Sequence, residues 1–379
     1  MGKSINGKEL GRGITQRKSD GLYQGRYVNR FGRRETIYAK TLPELRRKLR
    51  EAQYEDERCL NVVSKDMTLD EWYKVWMDTC KKNCRNSTKT TYAGQYKSIQ
   101  KELGYRKLTS LNLVIMQQAI NGLKMDNQRK NAKKLLVDML DKAIDTDLLT
   151  KNVAKKINTV VSKEEKKERR VLTVKETDIF LKEAKGTFYY NLYVLALETG
   201  MRIGELLGLT WNDVDFNKKI LHVSHTLCYF RKDEKYVFEM HDTKTNNGKR
   251  SIPLTKRAIE VLKSQRRQKN KILSKGIESQ DEYRNLVFVT RNNRPTQQFI
   301  IQECIALIIK NIQKEHSSFE KFSPHCFRHT FATRAIEKGM NPKTLQKLLG
   351  HGSLQMTMDL YCHVTEDTLY DAMKMMEAV

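Results

Sequence analysis

The amino-acid sequence predicts a mainly helical α+β protein that carries small β-sheets and divides into three folded parts. Residues 21–38 alternate aromatic and β-branched side chains with arginine, which is typical of short strands. From Met67 the apolar residues recur at helical spacing. Residues 162–170 contain no apolar side chain, and helical and strand patterns are mixed after them. We therefore expect a small sheet domain, a helical bundle, a linker and a mixed C-terminal domain.

The charge of the chain favours an anionic partner. Its 379 residues include 71 lysines and arginines against 45 acidic residues, a net charge of +26, and the basic residues are spread along the whole sequence. A polyanion binds such a surface because each neutralised phosphate releases condensed counterions. Nucleic acid is the expected partner. A merely soluble basic protein and a protein that sits on acidic lipid are the alternatives.

Membrane segments and metal motifs are not expected. No apolar run approaches the roughly 18–20 residues of a membrane span, and the N-terminal MGKSINGKEL lacks the apolar stretch of a signal peptide. The seven cysteines are scattered, and the close pair Cys80 and Cys84 has no second pair to complete a zinc site. We expect reduced thiols in a cytoplasmic protein with no membrane association, no metal and no cofactor.

Residues 1–65 form the first predicted domain, a three-stranded sheet with one helix. Thr41 as N-cap and Pro43 in the first turn begin that helix. The domain is itself basic, with 16 lysines and arginines against 8 acidic residues. Arginines interleaved with aromatics suit a sheet presented to a DNA groove, although a solvated face is the alternative. The candidate contacts are Arg26, Tyr27, Arg30 and Arg33.

Residues 66–160 form the second predicted domain, which has four or five helices. Thr68 caps the first of them, with Asp70 and Glu71 in its first turn. The second helix begins among hydroxyl and cationic side chains, which suit phosphate contacts as well as they suit ordinary capping. These candidates are Ser87, Thr88, Lys89, Thr90 and Lys97. Residues 161–170 are expected to be a solvated linker.

Residues 171–379 form the third predicted domain. A Thr173–Glu176 capping box opens it, a helix over 186–198 ends at Gly200, and a short helix covers 203–208. Strands are expected at 219–226, 235–240 and 249–254, and the last third is helical again.

The last third contains the residues best suited to bind a phosphate. Ser323 and Pro324 are a typical N-cap and first helical residue, and they place His325 and Arg328 on one face at a helix N-terminus. An arginine and a histidine there are well suited to hold a phosphate group. A second helix runs from Asn341-Pro342 to Gly350, which leaves His351 just past its end. A third helix begins near Ser353 and carries Tyr361.

Two upstream segments add cationic residues. Arg202 follows the helix-ending Gly200, and Glu205 lies one turn later, able to brace the guanidinium. Lys244 lies at the tip of a turn over residues 243–248, between two predicted strands. Each residue alone has an ordinary structural interpretation, as a core tyrosine or a hydrogen-bonded histidine. Their joint occurrence is what favours a catalytic site.

These residues occur in the order of a known family, and the chain resembles the tyrosine recombinases, in particular the integrases of conjugative transposons and of lambda-type phages. The resemblance rests on five segments of the C-terminal domain. They are Thr199-Gly-Met-Arg-Ile-Gly-Glu-Leu206, Lys244 ahead of Arg250-Ser-Ile-Pro-Leu254, His325-x-x-Arg-His-Thr330, Leu349-Gly-His351 and Met356-Thr-x-x-x-Tyr-x-His363. The two N-terminal domains match the architecture of the family by position and pattern only.

The resemblance implies a role for each residue. Arg202 and Arg328 would hold the scissile phosphate. Tyr361 would attack phosphorus to give a 3′-phosphotyrosyl linkage, and Lys244 would protonate the leaving 5′ oxygen. His325 would assist proton transfer and His351 would hydrogen-bond the phosphate, while Glu205 would orient the arginine.

Two of these assignments have competitors nearby. Tyr370 is a second tyrosine near the C-terminus, but Tyr361 stands 10 residues beyond His351, which is the spacing of the family. Lys249 competes with Lys244 on what the pattern suggests is one hairpin. The proline that usually precedes the family's lysine is Thr243 in this chain, which weakens the carry-over to Lys244.

The resemblance also implies partners. We expect double-stranded DNA with core and arm sites at the ends of a mobile element, and a homo-oligomer on DNA, namely a tetramer. An excisionase and a host DNA-bending protein are further candidate partners. The pattern of the tail after residue 366 predicts an amphipathic helix, which would dock on a neighbouring protomer. A type IB topoisomerase and a non-catalytic DNA-binding regulator on the same scaffold remain the alternative functions.

Overall fold

A computed structural model of the chain describes residues 2–11, 13–28, 34–57, 67–159, 170–232, 235–243 and 248–361, with the side chains of 55–57, 360 and 361 excepted. By its internal contacts the chain divides into two compact units, residues 1–164 and 165–379. No described helix is both long enough and apolar enough to cross a membrane.

The N-terminal part of the first unit is a small antiparallel sheet packed on one helix. Strands β3 (Ile14–Gln16), β4 (Tyr23–Val28) and β5 (Arg34–Ala39) lie in the order β3-β4-β5, and helix α1 spans Leu42–Glu57. A short ribbon of β1 (Gly2–Lys3) and β2 (Glu9–Gly11), absent from the sequence prediction, precedes them. Gly25 permits close packing, since a Cβ there would lie 2.3 Å from Leu49. The predicted three strands and helix are present.

The rest of the first unit is a bundle of four described α-helices. They are α2 (Leu69–Thr79), α3 (Asn86–Leu103), α4 (Leu113–Asn121) and α5 (Asp126–Asp145), with single 3₁₀ turns at Leu108–Ser110 and Val153–Lys156. Thr68 and Glu71 form a reciprocal capping box at the start of α2. The indole of Trp72 donates to the carbonyl of Met139 at 2.9 Å, which ties α2 to α5 within their shared apolar core.

The second unit is a mixed helical and sheet domain. Its helices are α6 (Val174–Ala184), α7 (Tyr190–Thr199), α8 (Ile203–Leu207), α9 (Lys256–Leu273), α10 (Gln298–Ile312), α11 (His325–Glu337), α12 (Pro342–Leu349) and α13 (Gln355–Tyr361). Its strands are β6 (Val214–Asp215), β7 (Ile220–Val223), β8 (His225–Lys232), β9 (Lys235–Asp242) and β10 (Arg250–Pro253). They form an antiparallel sheet in the order β10-β7-β6 and a separate β8-β9 hairpin. One apolar core joins most of these elements.

The strands around residue 224 differ from the prediction. The expected strand over 219–226 is divided into β7 and β8, which belong to different sheets. Ser224 stands at the break, and its hydroxyl donates to Asp213 at 2.7 Å, a local bond that competes with a continuous ladder. β9 pairs with β8 and β10 pairs with β7, so the segment of Lys244 connects two sheets. The expectation that Lys244 and Lys249 share a hairpin was wrong.

Three local predictions also need correction. Arg170, expected in the solvated linker, instead pairs with Glu176 at 2.6 Å and lies over the rings of Phe319 and Phe322, so it belongs to the second unit. Ser323 does not cap α11, since Pro324 is the N-cap and no side chain makes the capping hydrogen bond. Helix α7 begins at Tyr190, four residues after the expected start at 186.

Candidate functional site

The site begins where α7 ends and α8 begins. Gly200 terminates α7 in the left-handed region, at φ 61°, and a Cβ there would lie 2.4 Å from the ring of Phe331. The chain turns at once into α8, whose N-cap is Arg202. The carboxylate of Glu205 accepts from the Arg202 amide at 3.0 Å and from its guanidinium at 2.8 Å. The contact expected from their one-turn spacing is therefore present.

A second arginine shares the Glu205 carboxylate. Arg250, at the start of β10, pairs with Glu205 at 2.8 Å, and the two side chains are only 5% and 3% exposed. Its guanidinium also donates to the carbonyls of Leu348, at 2.6 Å, and Gly248, at 3.1 Å. Burial by itself would raise the pKa of Glu205, but the hydrogen bonds and charges of Arg250 and Arg202 together outweigh it, so that the pKa is lowered. Arg250 thus joins α8, β10 and the end of α12.

The third arginine of the site is buried in α11. Arg328 donates to the carbonyl of Gly200 at 3.0 Å and to that of Leu349 at 2.7 Å, which fixes its guanidinium between the ends of α7 and α12. Burial, and next the charge of Arg202, lower the pKa of Arg328 to about 9, so the group is still cationic at neutral pH. Two arginines held this close repel one another. A bound anion would relieve that repulsion.

Two histidines of α11 lie at the edge of the same pocket. His325 is exposed in the first turn of the helix, and its ring meets that of His329 edge to face, with centroids 4.7 Å apart. Because the helix presents His325 and Arg328 three residues apart, both line one cavity.

His351 forms a buried wall of the pocket, just beyond the left-handed Gly350 that ends α12. Its Nδ1 lies 2.8 Å from the hydroxyl of Thr357, a fully buried residue of α13. Burial, followed by the charge of Arg328 and of the other arginines, lowers the pKa of His351 to about 4. The ring is therefore neutral at pH 7 and presents one N–H donor.

These side chains enclose a cavity of about 260 Å³. It is lined by Arg202, His325, Arg328, His329, Ala332, Leu349, His351 and Met356. The cavity is large enough for a phosphate group, and its two arginines and its histidine rings can donate hydrogen bonds to phosphate oxygens. Among the described residues no cluster of three His, Cys, Asp or Glu side chains could hold a metal ion.

The structure brings together five of the predicted site residues, namely Arg202, Glu205, His325, Arg328 and His351. The side chains of the other two, Tyr361 and Lys244, lie outside the described residues. Position 361 is the last residue of α13, one turn after Thr357, and its side chain is outside the described residues. Lys244 also lies outside the described residues, as do Tyr370 and the tail after residue 366.

The N-terminal candidates lie in the first unit. Arg26 and Tyr27 are neighbours on β4, where alternate side chains point to opposite faces. Arg26 is exposed, and Tyr27 is half-buried and packs on the apolar core. Arg30 and Arg33 lie outside the described residues. A DNA contact by any of these four residues stays a prediction.

The hydroxyl residues at the start of α3 do not cap that helix. Its N-cap is Arg85, and no side chain makes the capping bond. The hydroxyl of Thr90 donates instead to the carbonyl of Asn86, four residues earlier, at 3.1 Å. Ser87, Thr88 and Lys89 are half-buried, and Lys97 is exposed. The ordinary capping interpretation is therefore not supported for this helix.

Sequence reasoning did not give a role to Arg250 or Thr357, although both stand within the motifs that it used. The signal at Arg250 is a cation at the first residue of a strand, and its partner is 45 residues away in sequence. Thr357 belongs to a short helix in which Met356 and Met358 are exposed, so the residue pattern gives no signal that Thr357 is fully buried. Burial and the contacts with Glu205 and His351 distinguish Arg250 and Thr357 from ordinary surface residues.

The fold and this pocket define a class of protein. Residues 148–368, more than half of the chain, match the family described as "Phage integrase family", and residues 68–124 match "Phage integrase, N-terminal SAM-like domain". The chain belongs to the phage integrase family, the tyrosine recombinases. It is an enzyme of site-specific DNA recombination.

Individual relatives agree with this assignment. The chain is 31% identical to a XerC-like tyrosine recombinase of Caldanaerobacter subterraneus, over 87% of this chain and 88% of the relative. It is 28% identical to the transposase of transposon Tn916 from Enterococcus faecalis, over 97% and 95%. Among solved structures, the Tn1549 transposon integrase in complex with transposon right end DNA superposes with a TM-score of 0.68 at 29% identity, covering 81% of this chain and 99% of that one.

Proposed function

We propose that this recombinase integrates and excises a mobile element of the conjugative-transposon type, and that it cuts DNA through a covalent 3′-phosphotyrosyl intermediate on Tyr361. The observation that carries the proposal is the convergence of Arg202, Arg328 and His351 on one phosphate-sized pocket. Two relatives of high coverage support the type of element. One is the Tn916 transposase, and the other is the Tn1549 integrase, solved with circular intermediate DNA.

The arginines would bind the scissile phosphate. Arg202 is supported from behind by Glu205, and Arg328 by two backbone carbonyls, so both guanidinium groups are positioned before DNA arrives. Donors fixed in advance stabilise the charge that develops on the non-bridging oxygens, because they need no reorganisation during the reaction. His351 would add one hydrogen bond. With Thr357 at Nδ1, its Nε2–H would donate to a phosphate oxygen.

Proton transfer would accompany strand cleavage. The Tyr361 hydroxyl loses its proton, with assistance from His325, as its oxygen bonds to phosphorus. The bond from phosphorus to the 5′ oxygen breaks, and Lys244 supplies the proton that makes this oxygen a hydroxyl. The phosphotyrosyl ester keeps the phosphodiester's bond energy. A 5′-hydroxyl from a second duplex can therefore reverse the step and join a new strand.

The domains would divide the work of DNA binding. Residues 1–65 would bind arm sites, with Arg26, Tyr27, Arg30 and Arg33 as candidate contacts. Residues 66–160 would bind the core site, through Ser87, Thr88, Lys89, Thr90 and Lys97. Residues 161–170 would link them to the catalytic domain at 171–379. The basic charge of the first 65 residues, eight more cations than anions, supports this division.

The active form would be a homo-tetramer on double-stranded DNA. Lambda integrase, whose fold is similar at 19% identity, has been solved as a tetramer bound to a Holliday junction. The tail after residue 366 would dock on a neighbouring protomer, and its deletion should alter assembly or cleavage. An excisionase and a host DNA-bending protein would be the accessory partners, and the protein would act in the cytoplasm.

A nicked suicide substrate tests the chemistry. A nick next to the cleavage site lets the cut strand diffuse away, so wild-type protein should accumulate as a covalent protein–DNA adduct. Tyr361→Phe should abolish the adduct, while the matched variant Tyr370→Phe should retain it. The proposal fails if wild-type protein forms no adduct on the ends of its own element, or if Tyr361→Phe still forms one. Strand exchange between two duplexes then separates a recombinase from a topoisomerase.

A further inference from the structure

A second basic cleft adjoins the phosphate pocket of the catalytic unit. It has a volume of about 440 Å³ and lies between the start of β10 and helix α12. It is lined by Lys249, Arg250, Ser251, Lys343, Gln346, Lys347, Leu348 and His351. His351 lines both cavities, so the two are neighbours across one imidazole ring. None of the residues lining the cleft is acidic.

Two of the three lysines of this cleft, Lys343 and Lys347, remain available for a ligand, whereas its arginine and its third lysine do not. Lys249 pairs with the carboxylate of Asp242 at 3.1 Å. Arg250 is occupied by Glu205 and by the carbonyls of Leu348 and Gly248. Lys343 and Lys347 are exposed, and no carboxylate of the described residues lies within ion-pair distance of either. They stand four residues apart on α12 and therefore share one face of the helix.

The position of Lys343 is not explained by the helix itself. A lysine in the last turn, such as Lys347, interacts favourably with the helix dipole. Lys343 lies in the first turn of α12, where a positive charge is unfavourable, and it stands above Lys347 on the same face, where like charges repel. An anion bound between the two lysines would remove both unfavourable terms.

We propose that this cleft is a second phosphate subsite, which binds a backbone phosphate next to the scissile one in the same DNA strand. The inference rests on the proposed function, which places the scissile phosphate in the pocket on the other side of His351. Successive phosphates of one strand advance by about 3.4 Å along the DNA axis. A strand held in the first cavity therefore carries its neighbouring phosphates past the second. Lys343 and Lys347 bind one of them.

The subsite sets the register of the DNA strand. One phosphate held by two arginines can pivot about that point, whereas a second contact on the same strand fixes its direction through the pocket. Base sequence is not read by such a contact. Loss of the lysines should therefore weaken binding to cognate and unrelated DNA by similar factors.

Salt dependence of DNA binding is the first test. The variant is Lys343→Ala/Lys347→Ala, and the matched control is Lys310→Ala/Lys314→Ala, two exposed lysines of the same unit that line neither cavity. The slope of log affinity against log salt concentration should fall by about 0.9 for each phosphate that the variant no longer neutralises. The Lys310/Lys314 control should keep the wild-type slope. A Lys343/Lys347 slope equal to that of the control overturns the proposal.

Neutral phosphate analogues then locate the contact. Single methylphosphonates are placed at successive positions around the cleavage site, and the binding of each DNA is compared for wild type and for Lys343→Ala/Lys347→Ala. At one position near the scissile phosphate the analogue should weaken wild-type binding and have no further effect on the variant. Additive losses at every position overturn the proposal. So does a variant that changes only inhibition by inorganic phosphate, since the cleft would then bind free anions.

The two proposals can fail separately. If wild-type protein forms the covalent adduct but the lysines do not couple to any phosphate, only the second subsite is refuted. If wild-type protein forms no adduct, the proposed chemistry fails whatever the lysines bind.

Discussion

The pKa of His351 gives a quantitative test of how the catalytic pocket is built. Burial of the ring, and next the charge of Arg328, lower this pKa from the ordinary 6.5 to about 4. In the unfolded chain the ring takes up its proton near pH 6.5, while the folded protein resists protonation down to about pH 4. The unfolded state then binds more protons, so the free energy of unfolding falls as the pH falls between these two values.

The size of this effect follows from the two pKa values. A shift of one unit corresponds to about 1.4 kcal/mol, so the full contribution of His351 is about 3 kcal/mol. Between pH 7 and pH 5 the folded protein should lose about 2 kcal/mol of stability through this residue alone. His351→Gln has no group that titrates there. Urea unfolding should therefore show a weaker pH dependence for the variant, by about that amount.

Nuclear magnetic resonance measures the cause directly. The chain has eight histidines, and labelling their Cε1 atoms with carbon-13 gives one signal for each. The signal missing from the spectrum of His351→Gln identifies His351, and its midpoint should lie near pH 4. A midpoint at pH 6 or above would refute the reasoning, because it would show that the ring is neither desolvated nor facing the arginines.

Three further predictions concern the groups that support the pocket. Gly200→Ala would combine a positive φ with a Cβ 2.4 Å from an aromatic ring carbon. The melting temperature should therefore fall further than for Gly186→Ala, where φ is also positive but nothing lies within 4 Å of the added Cβ. Equal shifts in melting temperature would contradict this. Arg250→Met leaves the buried carboxylate of Glu205 without its main partner, and the free energy of unfolding in urea should fall by about 3–5 kcal/mol. Adding Glu205→Leu should recover part of this loss. A free energy of unfolding for Arg250→Met within about 1 kcal/mol of wild type would argue against the prediction. Thr357→Val removes the hydrogen bond to Nδ1 of His351 and should slow cleavage of the suicide substrate about tenfold. Thr357→Ser keeps the hydroxyl and should retain the rate. A serine variant as slow as the valine variant would show that packing, and not the hydrogen bond, is what matters.

Much of the fold could be predicted because it depends on local chemistry. The predicted N-cap at Thr68 and the predicted capping box at Thr173 depend on residues three apart, and both are present. Gly200 and Gly350 end their helices in the left-handed conformation that glycine adopts without strain. Such signals do not depend on distant parts of the chain.

The strands around residue 224 were harder to predict because pairing is not local. The residues of β7 and β8 are nearly consecutive in sequence, yet β7 pairs with β10 and β8 pairs with β9. Alternation of side chains predicts that a segment is extended, but it does not say which strand lies beside it. The same limit applies to Arg170, which contacts nearby Glu176 but also Glu320, 150 residues away.

The class of the protein and the residues of its pocket follow from the amino-acid sequence, since the order and types of Arg202, His325, Arg328 and His351 can be read from it directly. The charge of these groups and the way they are held depend on the folded chain. Whether an arginine is braced or a histidine neutral depends on burial and on charges brought from distant segments, as Arg250 shows by joining Glu205 to the end of α12. The electric field of the pocket arises from folding, and a residue pattern does not contain it.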